Sequence, residues 1–171
     1  MAKVIRPYHP RWKLAFEAEA PVLEACFGES LVALHHIGST AIPGIMAKPI
    51  IDILVEASSL ASIDACAQAM AQAGYQARGE YGVPGRRYFS KPSESAGELG
   101  FHVHAFLQGS PQAVRHLCFR DYLLMRPDMA EEYTALKLSM CNAFGVLEPD
   151  YQQRKAGFVE HIESLALAHF A

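Results

Sequence analysis

A carboxylate stands inside an apolar run of this sequence, shortly after a turn of small residues. Asp52 lies within the run Ile-Ile-Asp-Ile-Leu-Val at 50–55, which has the length and composition of a buried strand. Burying a carboxylate among apolar side chains is unfavourable unless the group is paired, hydrogen-bonded or bound to a metal ion. Asp52 is therefore the first candidate for a residue that takes part in chemistry.

The turn before this strand carries groups that suit an anion. Gly38, Ser39 and Thr40 directly follow an apolar run, and Lys48 is the cation of the loop that comes next. Backbone N–H groups of a Gly-Ser turn can approach an anion closely, and the two hydroxyl groups add donors. Asp52 can hold a divalent cation between its carboxylate and phosphate oxygens. The spacing predicts a phosphate-binding site with Mg²⁺, or Mn²⁺ as the alternative.

Two histidines alternate in the run Phe-His-Val-His-Ala-Phe at 101–106. In a strand, His102 and His104 point to the same face of the sheet. Such a pair can share a metal ion or donate to a phosphate. The alternative is a solvent-facing side of the strand on which the histidines have no role.

Three further positions have two interpretations each. Arg87 shares a predicted strand face with Lys91, and the two either contact a phosphate or carboxylate or lie solvated at a sheet edge. Arg120, beside Asp121 in a predicted helix, is available for a cleft or for a local network. The ring of His36, just before the turn, either contributes to the site or hydrogen-bonds the loop.

An aromatic residue and a lysine recur at the same spacing on two predicted helices. Tyr133 and Lys137 form one i, i+4 pair, and Tyr151 and Lys155 form the other. Lysines on apolar stripes commonly lie at the rim of a core with the ammonium group in water. The alternative is that both lysines face the mouth of a cleft opposite the Gly-Ser turn, where a ring and an ammonium group suit a nucleotide.

The elements that must position these residues follow from periodicity and punctuation. The C-terminal third is helical, and shorter strands and turns fill the middle of the chain. Predicted helices cover 10–27 (with a kink or break near residue 20), 58–73, 111–125 (buried stripe Val114, Leu117, Cys118, Met125), 128–144 (after a capping box of Asp128 and Glu131) and a last segment from 151 with Leu165 on its apolar face; predicted strands cover 31–37, 50–55, 75–78, 86–91 and 101–106, with a polar loop at 92–100.

The composition restricts the class of protein. The 171 residues fit one domain, 1–171, and the net charge of −3 gives no strong electrostatic footprint for nucleic acid. No window is long and apolar enough to suggest a membrane span, and the N-terminus has no signal core, so we expect a cytoplasmic protein. The four cysteines show no paired spacing typical of zinc or redox sites. The oligomeric state is left open.

The motif GST-x-x-PG-x-x-AKP-x-ID-I at 38–53 resembles the GrpB family, members of which are also attached to some dephospho-CoA kinases. The runs GRRYFSK (85–91), FHVHAF (101–106), FRDYL (119–123) and YTALK (133–137) are similar to that family's pattern as well. The resemblance implies an α+β fold of the nucleotidyltransferase type, with a mixed β-sheet, flanking helices and a helical C-terminal third. In that superfamily an adjacent strand supplies a further ligand, so we expect His102 and His104 to lie across from Asp52.

The resemblance also implies a metal-dependent nucleotidyltransferase that binds a nucleotide or another phosphate-bearing small molecule. A non-catalytic nucleotide- or anion-binding module, linked to coenzyme A metabolism, is the alternative, and a purely structural role is a third. The site residues expected under the first hypothesis are Asp52, His104 and Arg120 as catalytic residues, Asp52, His102 and His104 as metal ligands, and His36, Gly38, Ser39, Thr40, Lys48, Arg87, Lys137 and Lys155 as ligand-binding residues.

One position departs from the superfamily pattern. A second acid usually follows two residues after the first, on the same strand face. Leu54 stands there in this sequence, and Glu56, the next residue on that face, sits at the strand end. A two-metal site built from one strand is therefore absent in its usual form. Either another element supplies ligands, or the site binds without the standard transfer chemistry.

Overall fold

In the computed structural model, which describes residues 4–94 and 98–171, five strands form a mixed sheet. The part of the predicted polar loop at 95–97 lies outside the described residues. The elements are β1 (Leu31–Ile37), β2 (Ile50–Ala57), β3 (Gln76–Ala77), β4 (Arg87–Lys91), β5 (Gly100–Leu107), α1 (Arg11–Phe27), α2 (Leu60–Ala65), α3 (Ala67–Gln72), α4 (Pro111–Met125), α5 (Pro127–Ser139) and α6 (Tyr151–Phe170), with short 3₁₀ turns at 28–30 and 39–41.

The sheet has the strand order β1-β2-β5-β4-β3. Strands β2 and β5 run parallel, whereas β1 with β2, β4 with β5 and β3 with β4 are antiparallel. The parallel pair lies at the centre, and its connection passes through α2, α3 and two outer strands. This arrangement confirms the predicted α+β class with a mixed sheet.

The two faces of the central strands differ in character because successive side chains point to opposite sides. Ile51, Ile53 and Val55 belong to the main core together with Val103 and Ala105, and helix α1 packs on that face. On the other face of the same strands lie Asp52 and both histidines of β5. Because side chains alternate along a strand, Asp52, His102 and His104 all lie on one side of the sheet.

The helical third is fastened to the loop that follows β1. Ile42 and Ile45 of this loop are fully buried against Tyr122, Leu123 and Tyr133 of α4 and α5. Ile162 of α6 completes the same cluster. Burial of such aliphatic and aromatic side chains contributes about 2 kcal/mol each. The cluster fixes α5 and α6 beside the Gly-Ser turn, which brings their lysines to the polar face of the sheet.

The helix interruptions differ from those expected at two places. Helix α1 continues through Pro21 to Phe27, so of the predicted kink or break near residue 20 the break is wrong. The predicted helix at 58–73 is instead two short helices that meet at Cys66, although Ser59 caps the first of them as its composition suggested. The apolar contacts of α1 with the sheet keep it helical despite the proline.

The boundaries of α5 also require correction. Asp128 is not a cap but lies in the first turn, where its carboxylate accepts hydrogen bonds from Arg126 at 2.9 and 2.6 Å. The helix ends at Ser139, well before Gly145, and Phe144 beyond it is 83% exposed. The predicted capping box and the length of this helix are therefore wrong.

The buried side of α4 is rotated from the predicted stripe. Val114 and Met125 are exposed, whereas Ala113, Tyr122 and Leu123 are buried. The helix packs against both the sheet and α6, so its buried surface is not the single stripe that the periodicity indicated. Leu165 of α6 is exposed for the same reason, since its helix faces α4 through other residues.

In the described part of the chain, no helix combines the length and apolarity that a bilayer span requires.

Candidate functional site

A cavity of about 450 Å³ opens between the polar face of the sheet and helices α5 and α6. The Gly-Ser turn forms one edge of it, and the turn before β4 forms another. Its hydroxyl, charged and aromatic lining residues come from separate parts of the chain: Ser39, Thr40, Lys48, Asp52, Tyr81, Arg86, Tyr88, His102, His104, Lys137, Tyr151 and Lys155. Side chains far apart in the sequence therefore face one space.

Gly38 explains how the turn approaches the carboxylate. Its φ of +71° and ψ of −172° lie in a region that is essentially restricted to glycine. A Cβ atom at this position would stand 2.9 Å from Oδ2 of Asp52, closer than such contacts allow. The missing side chain lets the turn lie directly against Asp52 and places Ser39 at the edge of the cavity.

Asp52 meets both histidines of β5. Nε2 of His104 lies 3.1 Å from its Oδ1, and Nδ1 of His102 lies 3.7 Å from the same oxygen. Burial opposes ionisation, but the hydrogen bond from His104 and the positive charges of His104, His102 and Lys155 outweigh it and lower the pKa of Asp52. The carboxylate is therefore held ionised, and its side chain keeps 31% of its surface open.

The predicted metal triad is not arranged as three converging ligands. Among residues 4–94 and 98–171, the histidine, cysteine, aspartate and glutamate side chains form no group of three placed to hold a metal ion. Nε2 of His104 points at the Asp52 carboxylate itself, so it pairs with the candidate ligand rather than standing beside it. Burial lowers the pKa of His102 despite the nearby Asp52 charge. The hydrogen bond from His104 orients the carboxylate.

Among the basic side chains that line the cavity, Lys137 is the most buried, with 2% of its surface exposed. Its Nζ donates to Oγ of Ser39 at 2.6 Å and to the carbonyl oxygen of Met46 at 2.9 Å. The ammonium group also lies 4.2 Å from the centre of the Tyr133 ring. Burial, together with the charges of two neighbouring lysines, holds the pKa of Lys137 well below its usual range.

The second tyrosine–lysine pair adjoins the first. Nζ of Lys155 lies 5.2 Å from the centre of the Tyr151 ring, and Nζ of Lys48 lies 5.9 Å from the same ring. Burial lowers the pKa of Lys155, and the Lys48 charge adds to this effect while Asp52 opposes it. The i, i+4 repeat noted in the sequence thus places both lysines on one wall of the cavity.

Arg86 is a lining residue that the sequence reasoning missed. Its guanidinium lies 4.9 Å from the centre of the Tyr88 ring, and Nη1 is 3.4 Å from Nδ1 of His104. It also donates to the carbonyl oxygen of Tyr81 at 2.6 Å, while the rings of Tyr81 and Tyr88 stack with centres 5.0 Å apart. No sequence pattern singled it out, because the choice between Arg86 and Arg87 depends on the pairing of Tyr88 with His104 in the sheet.

The structure does not bring Arg87 to the cavity. Its Cα partner across the sheet is Ala105, which faces the main core, so its side chain points to the opposite face from His104. The guanidinium instead pairs with Asp64 of α2, at 2.5 and 3.1 Å. Its predicted place among the phosphate-binding residues is therefore corrected, and the carboxylate alternative holds. Lys91, on the same face, pairs with Glu19.

His36 and Arg120 support the turn from outside the cavity. The ring of His36 stacks on Phe16, and its Nε2 lies 2.9 Å from Oγ1 of Thr40. Arg120 donates to the carbonyl oxygen of His36 at 3.2 Å and to Asp121 at 2.7 Å. Burial, aided by Arg120 and opposed by Asp52, lowers the pKa of His36 to about 4. Neither residue lines the cavity, so direct contact with a ligand there is not supported.

No second carboxylate of β2 joins Asp52 in the cavity. Leu54 is fully buried with Phe106 and Ala113 under helix α4. Glu56 lies at the far end of the strand, where its Oε2 is 3.0 Å from Nε2 of His35 and its Oε1 accepts from the backbone N–H of Gly109. Strand β2 therefore supplies Asp52 as its one carboxylate in the cavity, as expected from Leu54 in place of a second acid.

The charged lining is strongly unequal in sign. Lys48, Arg86, Lys137 and Lys155 contribute four basic side chains, whereas Asp52 contributes one carboxylate. Mutual repulsion and desolvation disfavour such a cluster when nothing compensates it. An anion with several negative charges would relieve both costs, and the Ser39 hydroxyl offers a hydrogen bond to it. The arrangement is therefore suited chemically to a polyanion.

Comparison with protein families and curated sequences identifies relatives over most of the chain. The family model described as GrpB protein matches residues 3–164. The glutamate-rich protein GrpB of Alkalihalophilus pseudofirmus is 32% identical over 161 residues, which cover 93% of this chain and 92% of that protein. The UPF0157 protein YqkA of Bacillus subtilis is 44% identical over 130 residues, covering 76% of this chain but 37% of YqkA. A dephospho-CoA kinase of Mycolicibacterium paratuberculosis is 26% identical over 155 residues, covering 78% of this chain and 38% of that protein.

Solved structures agree with the fold. The crystal structure of the conserved protein GrpB from Enterococcus faecalis matches with a TM-score of 0.88 and 34% identity, covering 98% of this chain and 99% of that one. Terminal uridylyl transferase 4 from Trypanosoma brucei with bound CTP matches with a TM-score of 0.51 and 17% identity, covering 96% of this chain and 52% of that one. The nucleotidyltransferase-like fold expected from the sequence is confirmed, and this second likeness concerns the fold alone.

Proposed function

We propose that this chain, which belongs to the GrpB family, binds a nucleoside triphosphate or a similar phosphate-bearing small molecule in the cavity beside Asp52. The observation that carries the proposal is the lining of four basic side chains against one carboxylate. Phosphate groups would lie against Lys48, Lys155 and Arg86 and accept a hydrogen bond from Ser39.

The aromatic residues at the mouth of the cavity support a nucleoside rather than a bare phosphate. Tyr81 is 65% exposed, and its ring is stacked on Tyr88. It is the non-glycine residue with a positive φ, +47°, in the described part of the chain. A planar base can stack on such a ring. The base would then occupy the open mouth while the phosphates extend inwards.

The residues present fit Mg²⁺ in one limited way. Mg²⁺ is commonly held by one or two carboxylates together with substrate phosphates and waters. Asp52, ionised and partly open, supplies one such carboxylate. The histidines are unsuited to this role, since Mg²⁺ prefers oxygen ligands. When bound, Mg²⁺ would neutralise charge on the phosphates, and the task of His104 would be to orient Asp52.

Metal-dependent nucleotidyl transfer is the second candidate function. The observation that favours it is the close approach of the Gly-Ser turn to Asp52, which Gly38 makes possible. This arrangement would set the phosphates of a nucleotide beside a metal-binding carboxylate. Transfer reactions of this kind depend mostly on positioning and electrostatic stabilisation. Leu54 in place of a second acid favours binding without transfer.

A thermal-shift screen tests the binding proposal. Nucleoside triphosphates, coenzyme A, dephospho-coenzyme A and inorganic triphosphate would be added with and without Mg²⁺ or Mn²⁺. The coenzymes are included because one relative is a dephospho-CoA kinase. A ligand at a hundred times its dissociation constant stabilises the fold by about 2.7 kcal/mol, which shifts the melting temperature measurably.

Asp52→Asn and Asp64→Asn form a matched pair of variants for this screen. Asp64 pairs with Arg87 outside the cavity, so its variant should respond to ligands as the wild type does. A nucleotide shift that needs metal and disappears only in Asp52→Asn would support transfer and justify a search for an acceptor. A shift independent of metal and of Asp52 would support a binding module. Absence of any shift with phosphate compounds would contradict the proposal.

A further inference from the structure

Ser39 lies in an environment unlike that of an ordinary turn serine. It lines the cavity, and its Oγ is 2.6 Å from Nζ of Lys137. Tyr133 hydrogen-bonds to the same side chain. Lys137 is buried to 2% exposure, and the oxygens that it contacts, Ser39 Oγ and the Met46 carbonyl, are both uncharged. A hydroxyl group and an amine are thus held together at the edge of a cavity.

The surroundings of Lys137 favour its neutral form. Burial and the charges of Lys155 and Lys48 hold its pKa well below that of an exposed lysine, and Asp52 opposes this only in part. A neutral amine can still donate to the Met46 carbonyl while accepting the hydroxyl hydrogen of Ser39. Serine–lysine pairs of this kind activate serine as a nucleophile in unrelated folds.

We propose that Ser39 is a nucleophile activated by Lys137 and that it attacks the α-phosphorus of a nucleoside triphosphate in the cavity. This inference rests on the proposed function for the identity of the substrate. It assigns to the Gly-Ser turn a covalent step in addition to phosphate binding. It also gives the buried lysine the role of a general base. This role does not depend on a metal ion held by a second acid, which the strand lacks.

The step balances in atoms and charge. An oxygen lone pair of Ser39 Oγ forms the new bond to phosphorus, and the hydroxyl proton moves to Nζ of Lys137, which becomes an ammonium group. The bond between the α-phosphorus and the bridging oxygen breaks, and pyrophosphate leaves with that electron pair. Lys48, Lys155 and Arg86 line the same cavity and would offset its negative charge. The product is a nucleotidyl ester of Ser39.

Thr40, the neighbouring hydroxyl residue, is not equivalent. Its Oγ1 lies 2.9 Å from Nε2 of His36, and the residue is 2% exposed. The ring of His36 is itself packed against Phe16, so this hydroxyl is held on the outer side of the turn. The geometry therefore selects one of the two adjacent hydroxyl groups.

A fluorophosphonate probe tests the nucleophile without requiring nucleotide binding. Such probes carry an electrophilic phosphorus atom that reacts with activated serine. The wild-type chain would be treated across a range of pH, and the adduct located by peptide mass spectrometry. We expect modification at Ser39, with a rate that rises to a plateau at a pH below the ordinary lysine pKa of 10.5. Ser39→Ala should remove the adduct.

Two substitutions of Lys137 separate its basicity from its charge. Lys137→Met removes both, whereas Lys137→Arg keeps a cation that cannot act as a base near neutral pH. Loss of a general base typically lowers the rate at least about 100-fold. We expect that loss in both variants, together with loss of the pH plateau. Thermal melting of each variant confirms that it is folded, and Ser139→Ala, which alters an exposed serine, controls for non-specific labelling.

The outcomes distinguish this inference from the proposed function. An unmodified Ser39 in the wild type, while nucleotides still raise the melting temperature, overturns the nucleophile and leaves nucleotide binding intact. Equal labelling rates in wild type and Lys137→Arg overturn the role of the lysine as a base. Labelling without any nucleotide shift supports the activated serine but contradicts the substrate. Intact-mass measurement after incubation with a nucleoside triphosphate and Mg²⁺ should then detect the nucleotidyl adduct in the wild type only.

Discussion

Two lysines with little exposed surface lie on opposite faces of the same sheet and have different partners. Nζ of Lys91 is 2.5 Å from Oε1 of Glu19, and the hydroxyl of Tyr75 donates to that same oxygen at 2.9 Å. Nζ of Lys137, by contrast, meets the uncharged oxygens of Ser39 and Met46. Both ammonium groups also lie against an aromatic ring.

The difference separates a structural charge from a functional one. A buried cation with its own carboxylate is compensated within the chain, and removing one partner leaves the other charge unpaired. Here Lys91 of β4 is paired with Glu19 of α1. A buried lysine without a carboxylate partner is not compensated in this way, so its pKa falls, and an anion beside it would stabilise its protonated form. Lys137 belongs to this second kind.

Separating the ion pair of Lys91 and Glu19 should cause the largest loss of stability. Glu19→Gln leaves Lys91 with a neutral partner in a largely buried position. We expect the free energy of unfolding to fall by about 3 kcal/mol, measured by urea denaturation. The double variant Glu19→Gln with Lys91→Met removes both charges and should regain much of the loss. A loss no larger in Glu19→Gln than in the double variant would show that the ion pair is not structural.

The backbone of the cavity offers a second test. Gly38→Ala forces a side chain into a φ of +71° and against Oδ2 of Asp52. We expect a loss of about 2 kcal/mol in the free energy of unfolding, together with loss of any nucleotide-induced thermal shift. Gly85→Ala is the matched control, because its φ is +79° but no atom lies within 4 Å of the added Cβ. Equal ligand responses in the two variants would contradict the role of Gly38 beside Asp52.

Alkaline pH should distinguish the uncompensated lysines. The pKa values of Lys137 and Lys155 are lowered on folding, so between those values and 10.5 the unfolded chain binds more protons. The free energy of unfolding therefore rises with pH in that window, by up to about 1.4 kcal/mol per pH unit for each lysine.

Urea denaturation between about pH 8 and pH 10 measures this slope. Above that range the raised pKa of Tyr133 acts in the opposite direction, since the unfolded chain then loses the tyrosine proton first. Lys137→Met should show a smaller rise than the wild type. An unchanged slope in the variant would mean that Lys137 is not titrating in this window.

Much of this architecture follows from sequence period alone. Alternation in β5 correctly placed His102 and His104 on one face, and the resemblance placed that face across from Asp52. The i, i+4 repeat gave a shared wall for Lys137 and Lys155 as one of its two interpretations. These predictions succeed because strand and helix geometry fix the direction of side chains. The resemblance supplied the nucleotidyltransferase-like fold, which periodicity could not name. The roles of these histidines and lysines in binding and catalysis remain predictions.

Other features depended on contacts between distant segments. The phase of Arg87 and Lys91 was correct, but the choice between Arg86 and Arg87 depends on which sheet face carries the cavity. That is set by the pairing of Tyr88 with His104, which one strand does not reveal. Likewise, the burial of Lys137 depends on the loop before β2 covering it through Met46. Helix α4 packs on two partners, so Leu117 and Cys118 of its predicted stripe pack against buried clusters whereas Val114 and Met125 are exposed.

The smallest expected effect on stability is at Lys137 itself. Lys137→Met replaces a lysine whose hydrogen-bond partners are uncharged with an apolar side chain of similar length. The lost hydrogen bonds to Ser39 and Met46 offset the desolvation that the substitution relieves, so we expect the free energy of unfolding to change by less than about 1 kcal/mol. Lys91→Met leaves the Glu19 carboxylate without its ion-pair partner, so its loss in the free energy of unfolding should be several times larger. If the two lysine variants lose equal stability in urea denaturation, Lys137 is as structural as Lys91, and its lack of a carboxylate partner does not indicate an anionic ligand.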